Sequence, residues 1–141
     1  MLDKIYVVYW SQSGNTAAMA DAVGQGITEA GKEAEVIEVS SASLDALKEE
    51  KAFALGCPAM GAEVLEESEM EPFVAEVESF AAGKTIALFG SYGWGDGEWM
   101  QNWEETCKND GASLACDSVI CNETPDDEAE ANCVNLGKAL A

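Results

Sequence analysis

The sequence predicts an α/β fold in three layers, a parallel β-sheet with helices on both faces. Three observations carry that prediction. Short β-rich runs alternate with segments of helical period along the whole chain, glycines stand where the helical segments stop, and no repeat, low-complexity tract or linker breaks the alternation. With 141 residues and 48% hydrophobic composition, residues 1–141 suit one compact domain.

The first strand is expected over residues 4–10, and it runs directly into Ser11-Gln12-Ser13-Gly14-Asn15-Thr16. Met19, Val23 and Ile27 then recur every fourth residue until Gly31, the pattern of a helix with one apolar stripe and a glycine stop. Residues 35–39 read as a second strand, Leu44 with Leu47 as a short amphipathic turn, and residues 52–56 as a third strand. A long acidic connection, 57–71, leads to Pro72, which suits a first helical position. Phe73, Val77 and Phe80 supply that helix with its stripe, and it ends near Gly83. A fourth strand over 85–89 feeds the glycine-rich stretch 90–97. Trp99, Met100, Trp103 and Cys107 then mark a helix that stops by Gly111, and their spacing assigns both tryptophans to the core. A fifth strand is expected over 113–121, irregular around Asp117. Asp126, Asp127 and Glu128 place negative charge at the start of a last helix faced by Ala129, Cys133, Leu136 and Leu140. In such sheets ligands bind beyond the carboxyl ends of the strands, where the strand order reverses. Each unusual loop of this chain follows a strand.

Seven basic residues, all lysine, stand against 27 acidic ones, a net charge of −20. That surface repels phosphate backbones and anionic membranes, which excludes nucleic acid as a partner; it favours solubility and attraction to a basic docking face on another protein. Without His or Arg the chain lacks the commonest general base and metal ligand and the bidentate phosphate clamp. Most hydrolytic and phosphoryl-transfer mechanisms are thereby without their parts. Cys57, Cys107, Cys116, Cys121 and Cys133 are odd in number and form no Cys-x-x-Cys pair. They are expected as reduced thiols in a cytoplasmic protein, filling the core as small hydrophobes. The first residues carry no basic leader with a cleavage site, and no apolar run approaches the roughly 20 residues that span a bilayer.

Ser11 to Thr16 gathers three hydroxyls, two amides and a glycine between a strand and a helix. Backbone N–H groups converge there, the helix dipole favours negative charge, and the hydroxyls add donors, so the loop is an anion site suited to a phosphate monoester. Lys4 and Lys32 lie at the far ends of the flanking strand and helix. The anion would therefore be held by neutral dipoles, and the loop does not match G-x-x-x-x-G-K-[ST]. Trp94, flanked by Gly93 and Gly95, sits on permissive backbone where a flat ring is presented from a loop and can stack on another ring system.

Ser-x-Ser-Gly-Asn-Thr after Val8-Tyr9-Trp10 resembles the phosphate loop of flavodoxins. Cys57-Pro58-Ala59-Met60-Gly61-Ala62-Glu63-Val64-Leu65-Glu66-Glu67 resembles that family's loop after strand three. Leu88-Phe89-Gly90-Ser91-Tyr92-Gly93-Trp94-Gly95-Asp96-Gly97-Glu98-Trp99 resembles its loop after strand four. Order and spacing agree, and the likeness is greatest to short-chain members from anaerobic bacteria. The resemblance implies a five-stranded sheet of order 2-1-3-4-5 with one FMN held non-covalently at the switch point; that order is inherited from the family rather than derived. It also implies a low-potential one-electron carrier shuttling between the FMN semiquinone and hydroquinone, an electron-transfer protein rather than an enzyme, a monomer with no metal and no catalytic residues. Its transient partners would be redox proteins with basic docking faces.

By the same resemblance Ser11, Gln12, Ser13, Gly14, Asn15 and Thr16 take the phosphate, Ala59 and Ser91 lie near the ribityl chain, and Met60 and Trp94 cover the two flavin faces. Pro58, Gly61, Ala62, Glu63, Tyr92, Gly93, Gly95 and Asp96 complete the loops, with Glu63 at the pyrimidine edge and Asn122 at the ribityl chain. Glycine at the second position of the turn Met60-Gly61-Ala62-Glu63 permits a type II′ conformation, whereas type II would force a positive φ on Ala62. This turn is expected to direct the Gly61 carbonyl at the flavin N5–H. Glu63, Glu66, Glu67, Glu69, Glu71, Asp96 and Glu98 would oppose addition of a second electron as an anion and form a docking rim. Gln12 stands where the family usually has Gly, Pro58 where some members offer a hydroxyl, and Ala62 where a more polar residue is common. Asn122-Glu123-Thr124-Pro125 resembles the family's Asn-Glu-Pro segment with one residue inserted.

An alternative with the same fold is an FMN-dependent NAD(P)H quinone or nitro reductase, but its oligomerisation insertions and cationic nucleotide-binding groups are missing here. A receiver domain needs an acceptor Asp at the end of strand three, where Gly56-Cys57-Pro58 stands. A small phosphatase of related topology needs an arginine.

Overall fold

Six strands and five α-helices are present among the residues described by this computed structural model, 4–11, 14–59, 66, 68–92 and 97–141. They run β1 (Lys4–Tyr9), α1 (Asn15–Glu29), β2 (Glu33–Glu38), α2 (Leu44–Lys48), β3 (Ala52–Gly56), α3 (Met70–Glu78), β4 (Thr85–Tyr92), α4 (Glu98–Asn109), β5 (Ser113–Leu114), β6 (Val119–Asn122) and α5 (Asp127–Leu140). A single 3-10 turn, Val39–Ser41, follows β2. Every pairing is parallel, in the order β2-β1-β3-β4-β5, with β6 joining β4 beyond β5. The expected order 2-1-3-4-5 is thus present, its fifth strand in two pieces.

Period-two alternation sorts the strand side chains into two cores. Val8, Phe53, Leu55, Ile86 and Leu88 face α2, α3 and α4, where they meet Phe73, Val77, Trp99 and Trp103. Ile5, Val7, Ala54, Ala87 and Phe89 face α1 and α5, where they meet Met19, Val23, Ile27, Cys133 and Leu136. Both tryptophans of α4 are core, as their spacing predicts. Sheet residues buried on both faces explain the continuous apolar runs of the central strands.

On the second face two helices meet backbone to backbone. A Cβ at Gly26 of α1 would collide with the carbonyl oxygen of Val134, and one at Gly137 of α5 would collide with that of Val23. Glycine is demanded there by the neighbouring helix, although each costs its own helix about 1 kcal/mol relative to alanine.

Several boundaries differ from the sequence expectation. β2 begins at Glu33 and ends at Glu38, because Val39 enters the 3-10 turn. α3 begins at Met70 rather than Pro72; the proline occupies the third helical position, where an N–H would have no intrahelical acceptor anyway. β4 runs three residues past Phe89, since β6 pairs with it from Phe89 to Tyr92. The fifth strand breaks between Leu114 and Val119, where Ser118 instead donates to the Glu104 carboxylate at 2.7 Å.

Gly26→Ala should destabilise the fold by about 1–3 kcal/mol through overpacking despite its better helix propensity. Urea unfolding followed by circular dichroism measures this directly, and a gain in stability would show that the helices can part at no cost.

Candidate functional site

Ladder hydrogen bonding continues past the strand ends and brings four connections together at the carboxyl edge. Trp10 N–H donates to Gly56 O at 3.0 Å, Cys57 N–H to Phe89 O at 3.2 Å, Ala59 N–H to Ser91 O at 3.0 Å, and Glu123 N–H to Tyr92 O at 2.7 Å. The roots of the loops after β1, β3, β4 and β6 are therefore neighbours across the point where the strand order reverses, between β1 and β3.

The first connection is built as an anion cradle. Gly14 caps α1 in the left-handed region at φ 93°, and its side offers nothing within 4 Å that would exclude a Cβ, so the backbone angle alone calls for glycine. The Ser11 hydroxyl accepts from Gly14 N–H at 3.1 Å and Ala17 N–H at 3.3 Å, which leaves its own proton to give. Asn15 and Thr16 are the first helical residues. Thr16 is 1% exposed, and its hydroxyl has no hydrogen-bond partner. Leaving such a group unpaired costs roughly 1–3 kcal/mol, an energy recovered when an acceptor arrives. Gln12 and Ser13 lie outside the described residues.

Around the second connection Cys57 uses every polar atom it has. Its carbonyl accepts from Trp99 Nε1–H at 3.1 Å, its sulfur accepts from Glu66 N–H at 3.4 Å, and its thiol donates to Pro58 O at 3.4 Å. Burial pushes this thiol up to about 12, against the lowering effect of the Glu66 amide. Cys107 and Cys133 are likewise pushed up to about 12 by burial and are core, whereas Cys116 and Cys121 are half-buried rather than filling the core. Pro58 and Ala59 are half-buried at the loop root. Met60, Gly61, Ala62 and Glu63 lie outside the described residues.

Glu66 departs from its expected place on the acidic rim: it is 6% exposed. Its carboxylate accepts from the Ser68 hydroxyl, from Ser68 N–H and Glu69 N–H at 2.7 Å each, and from Met70 N–H at 3.0 Å. It thereby satisfies the amides at the start of α3, which is why that helix begins upstream of Pro72. Burial alone would raise its pKa, but the Ser68 hydroxyl and the three amides outweigh it and hold the group at about 2. Glu69, Glu71 and Glu98 are exposed, as a rim requires, while Glu67 lies outside the described residues.

In the third and fourth connections Ser91 and Tyr92 are strand residues. Ser91 is buried and donates to Glu123 O at 2.6 Å; Tyr92 is half-buried with its ring 5.7 Å from that of Trp99. Exposed Asn122 sends its amide toward Tyr92 O at 3.4 Å, and Glu123 beside it takes a positive φ of 57°. Gly93, Trp94, Gly95 and Asp96 lie outside the described residues.

Charge is distributed with equal consistency. Lys4 opens β1, Lys32 precedes β2, Lys48 ends α2, Lys51 precedes β3, Lys84 precedes β4, and Lys108 and Lys138 sit in the last turns of α4 and α5. All seven lysines therefore lie at the edge opposite the four connections. Among the described residues no group of three or more His, Cys, Asp or Glu could hold a metal ion, and no helix is long and apolar enough to cross a membrane.

A doubly wound sheet with a cation-free anion cradle at its switch point defines a mononucleotide-binding α/β protein. The family model for flavodoxin matches residues 7–137. A flavodoxin of Clostridium beijerinckii is 48% identical over 135 residues, covering 96% of this chain and 97% of that protein. One of Megasphaera elsdenii is 40% identical over 137 residues, covering 97% and 98%. The solution structure of the two-electron reduced Megasphaera elsdenii protein superposes with a TM-score of 0.88 over 96% of this chain and 97% of that one. A flavodoxin from the domain Archaea, 34% identical, gives a TM-score of 0.86 over 98% and 96%. The chain belongs to the flavodoxin family. It is an FMN-binding electron carrier with redox partners, and the reductase alternative is not favoured. The described residues fit the cofactor: the orphaned Thr16 hydroxyl, and the Ser11 hydroxyl that acts only as acceptor in the bonds described, suit a phosphate's need for donors.

Because the folded Glu66 value lies below the ordinary 4.5, its stabilisation is complete above about pH 4.5 and is lost as pH falls toward 2. Glu66→Gln should cost about 1.5–3 kcal/mol at neutral pH. Urea midpoints of the two proteins should converge between pH 4.5 and 2; a pH-independent difference would mean that the charge contributes nothing.

Proposed function

We propose that this chain carries single electrons at low potential between other proteins, with its FMN seated along the carboxyl edge of the sheet. The observation that carries this reading is the buried, unpartnered Thr16 hydroxyl at the amino end of α1. In this assignment Ser11, Gln12, Ser13, Gly14, Asn15 and Thr16 receive the phosphate, and the helix dipole supplies the positive potential that lysine supplies elsewhere. Pro58, Ala59, Ser91 and Asn122 border the ribityl chain. Met60 and Trp94 enclose the ring, Gly61, Ala62 and Glu63 contact its edge, and Tyr92, Gly93, Gly95 and Asp96 complete the wall. When bound, FMN supplies the one-electron chemistry; the chain supplies orientation and field.

Exposed Glu69, Glu71 and Glu98 stand near this edge while every lysine stands at the other, so negative potential accumulates where electrons enter and leave. That field lowers the potential for adding a second electron as an anion. It also selects a partner with a basic docking face, engaged transiently. A net charge of −20 opposes self-association, consistent with a monomer, and five free thiols suit the cytoplasm.

Stepwise anaerobic reduction of the FMN-loaded protein, followed by visible absorbance, tests the reading. The yellow solution is expected to turn blue before it bleaches; direct two-electron bleaching accelerated by NADH would indicate a reductase instead. Thr16→Val, which keeps the side-chain shape but removes the hydroxyl, should weaken FMN binding about tenfold while raising the melting temperature of the apoprotein. Fluorescence titration and calorimetry read the two effects, and unchanged affinity would remove Thr16 from the site.

A further inference from the structure

The two connections after β3 and β4 are joined at their roots by one string of contacts. The Tyr92 ring, last in β4, lies 5.7 Å from the Trp99 ring with the planes at 51°. Trp99, second residue of α4, donates from Nε1 to the Cys57 carbonyl at 3.1 Å in a buried bond. Cys57, first residue after β3, accepts the Glu66 N–H on its sulfur at 3.4 Å, also buried. Tyr92 and Trp99 flank residues 93–98, whereas Cys57 and Glu66 flank residues 58–65.

An independent feature protects the central contact. A Cβ on Gly90 would collide with the Cys57 carbonyl oxygen and press on the Trp99 ring, so the strand leaves open the space in which that bond forms. The Glu66 end is fixed in turn, because its carboxylate is bound to the start of α3 and its carbonyl accepts Glu71 N–H at 2.8 Å.

We propose that Tyr92, Trp99, Cys57 and Glu66 form a clasp that ties the roots of these two connections together, with Cys57 as the hub and Trp99 as a positioning residue. Closing each connection at its base removes chain entropy before any ligand arrives, so less ordering remains for binding to impose. The clasp rests on the FMN reading for its purpose, since the two connections are those assigned to opposite faces of the ring. Its existence does not depend on that reading.

Amide hydrogen exchange of the apoprotein separates the two. Trp99→Phe keeps an aromatic ring but removes the pyrrole half of the indole with its N–H donor; it should speed exchange about tenfold in both 59–66 and 93–98. Cys57→Ala removes the sulfur but keeps the carbonyl, so it should speed exchange in 59–66 and leave the rate in 93–98 unchanged. Acceleration confined to 93–98 in Trp99→Phe, or no acceleration of 59–66 in Cys57→Ala, overturns the clasp. In FMN titration Trp99→Phe should bind about tenfold more weakly than the unaltered protein, and equal affinity would deny the clasp a part in binding. Failure of the unaltered protein to bind FMN would overturn the functional reading and leave the exchange result standing.

Discussion

Every crossover of a parallel sheet delivers a strand's carboxyl end and the next helix's amino end to the same edge, and the rest of this molecule follows from that constraint. Helix amino ends bring unpaired N–H groups and partial positive charge to one side, while helix carboxyl ends bring the opposite to the other. The lysines obey the same polarity: Lys48, Lys108 and Lys138 end helices, and Lys4, Lys32, Lys51 and Lys84 stand at strand entrances. An edge thus freed of cations can attract a phosphate only through dipoles and hydroxyls, which is the arrangement at Ser11, Gly14 and Thr16.

Glu66 and Cys57 show how buried polar atoms can be used without leftover cost. Four donors converge on one carboxylate, and a thiol serves as both donor and acceptor. A buried carboxylate with no cation is tolerable when amides at a helix start surround it, since those amides need an acceptor themselves. The result is an acidic residue that stabilises the scaffold, beside acidic neighbours at 69 and 71 that remain in solvent.

What could be read from the sequence was local. The apolar stripe of Met19, Val23 and Ile27, the start of a helix straight after Gly14 and the core spacing of Trp99 and Trp103 each depend on residues within a turn or two, and each stands where expected. What could not be read depends on distant partners. Residues 90–92 look like the start of a glycine-rich loop, yet they are strand because β6 supplies a neighbour. Glu66 looks like its neighbours in an acidic run, and only the fold reveals that it turns inward to meet amides at 68–70. The break in the fifth strand was signalled by Asp117, but its division into separate pieces on β4 was not.

The paired glycines of α1 and α5 bear on how the chain assembles. Gly26 and Gly137 bring the earliest and latest helices into contact, with most of the chain between them. During synthesis β1 and α1 emerge long before the helix that covers their shared face, so Ile5, Val7 and Val23 wait in solvent for Cys133 and Leu136. That half of the core is completed by contacts of the longest sequence separation, which slows folding.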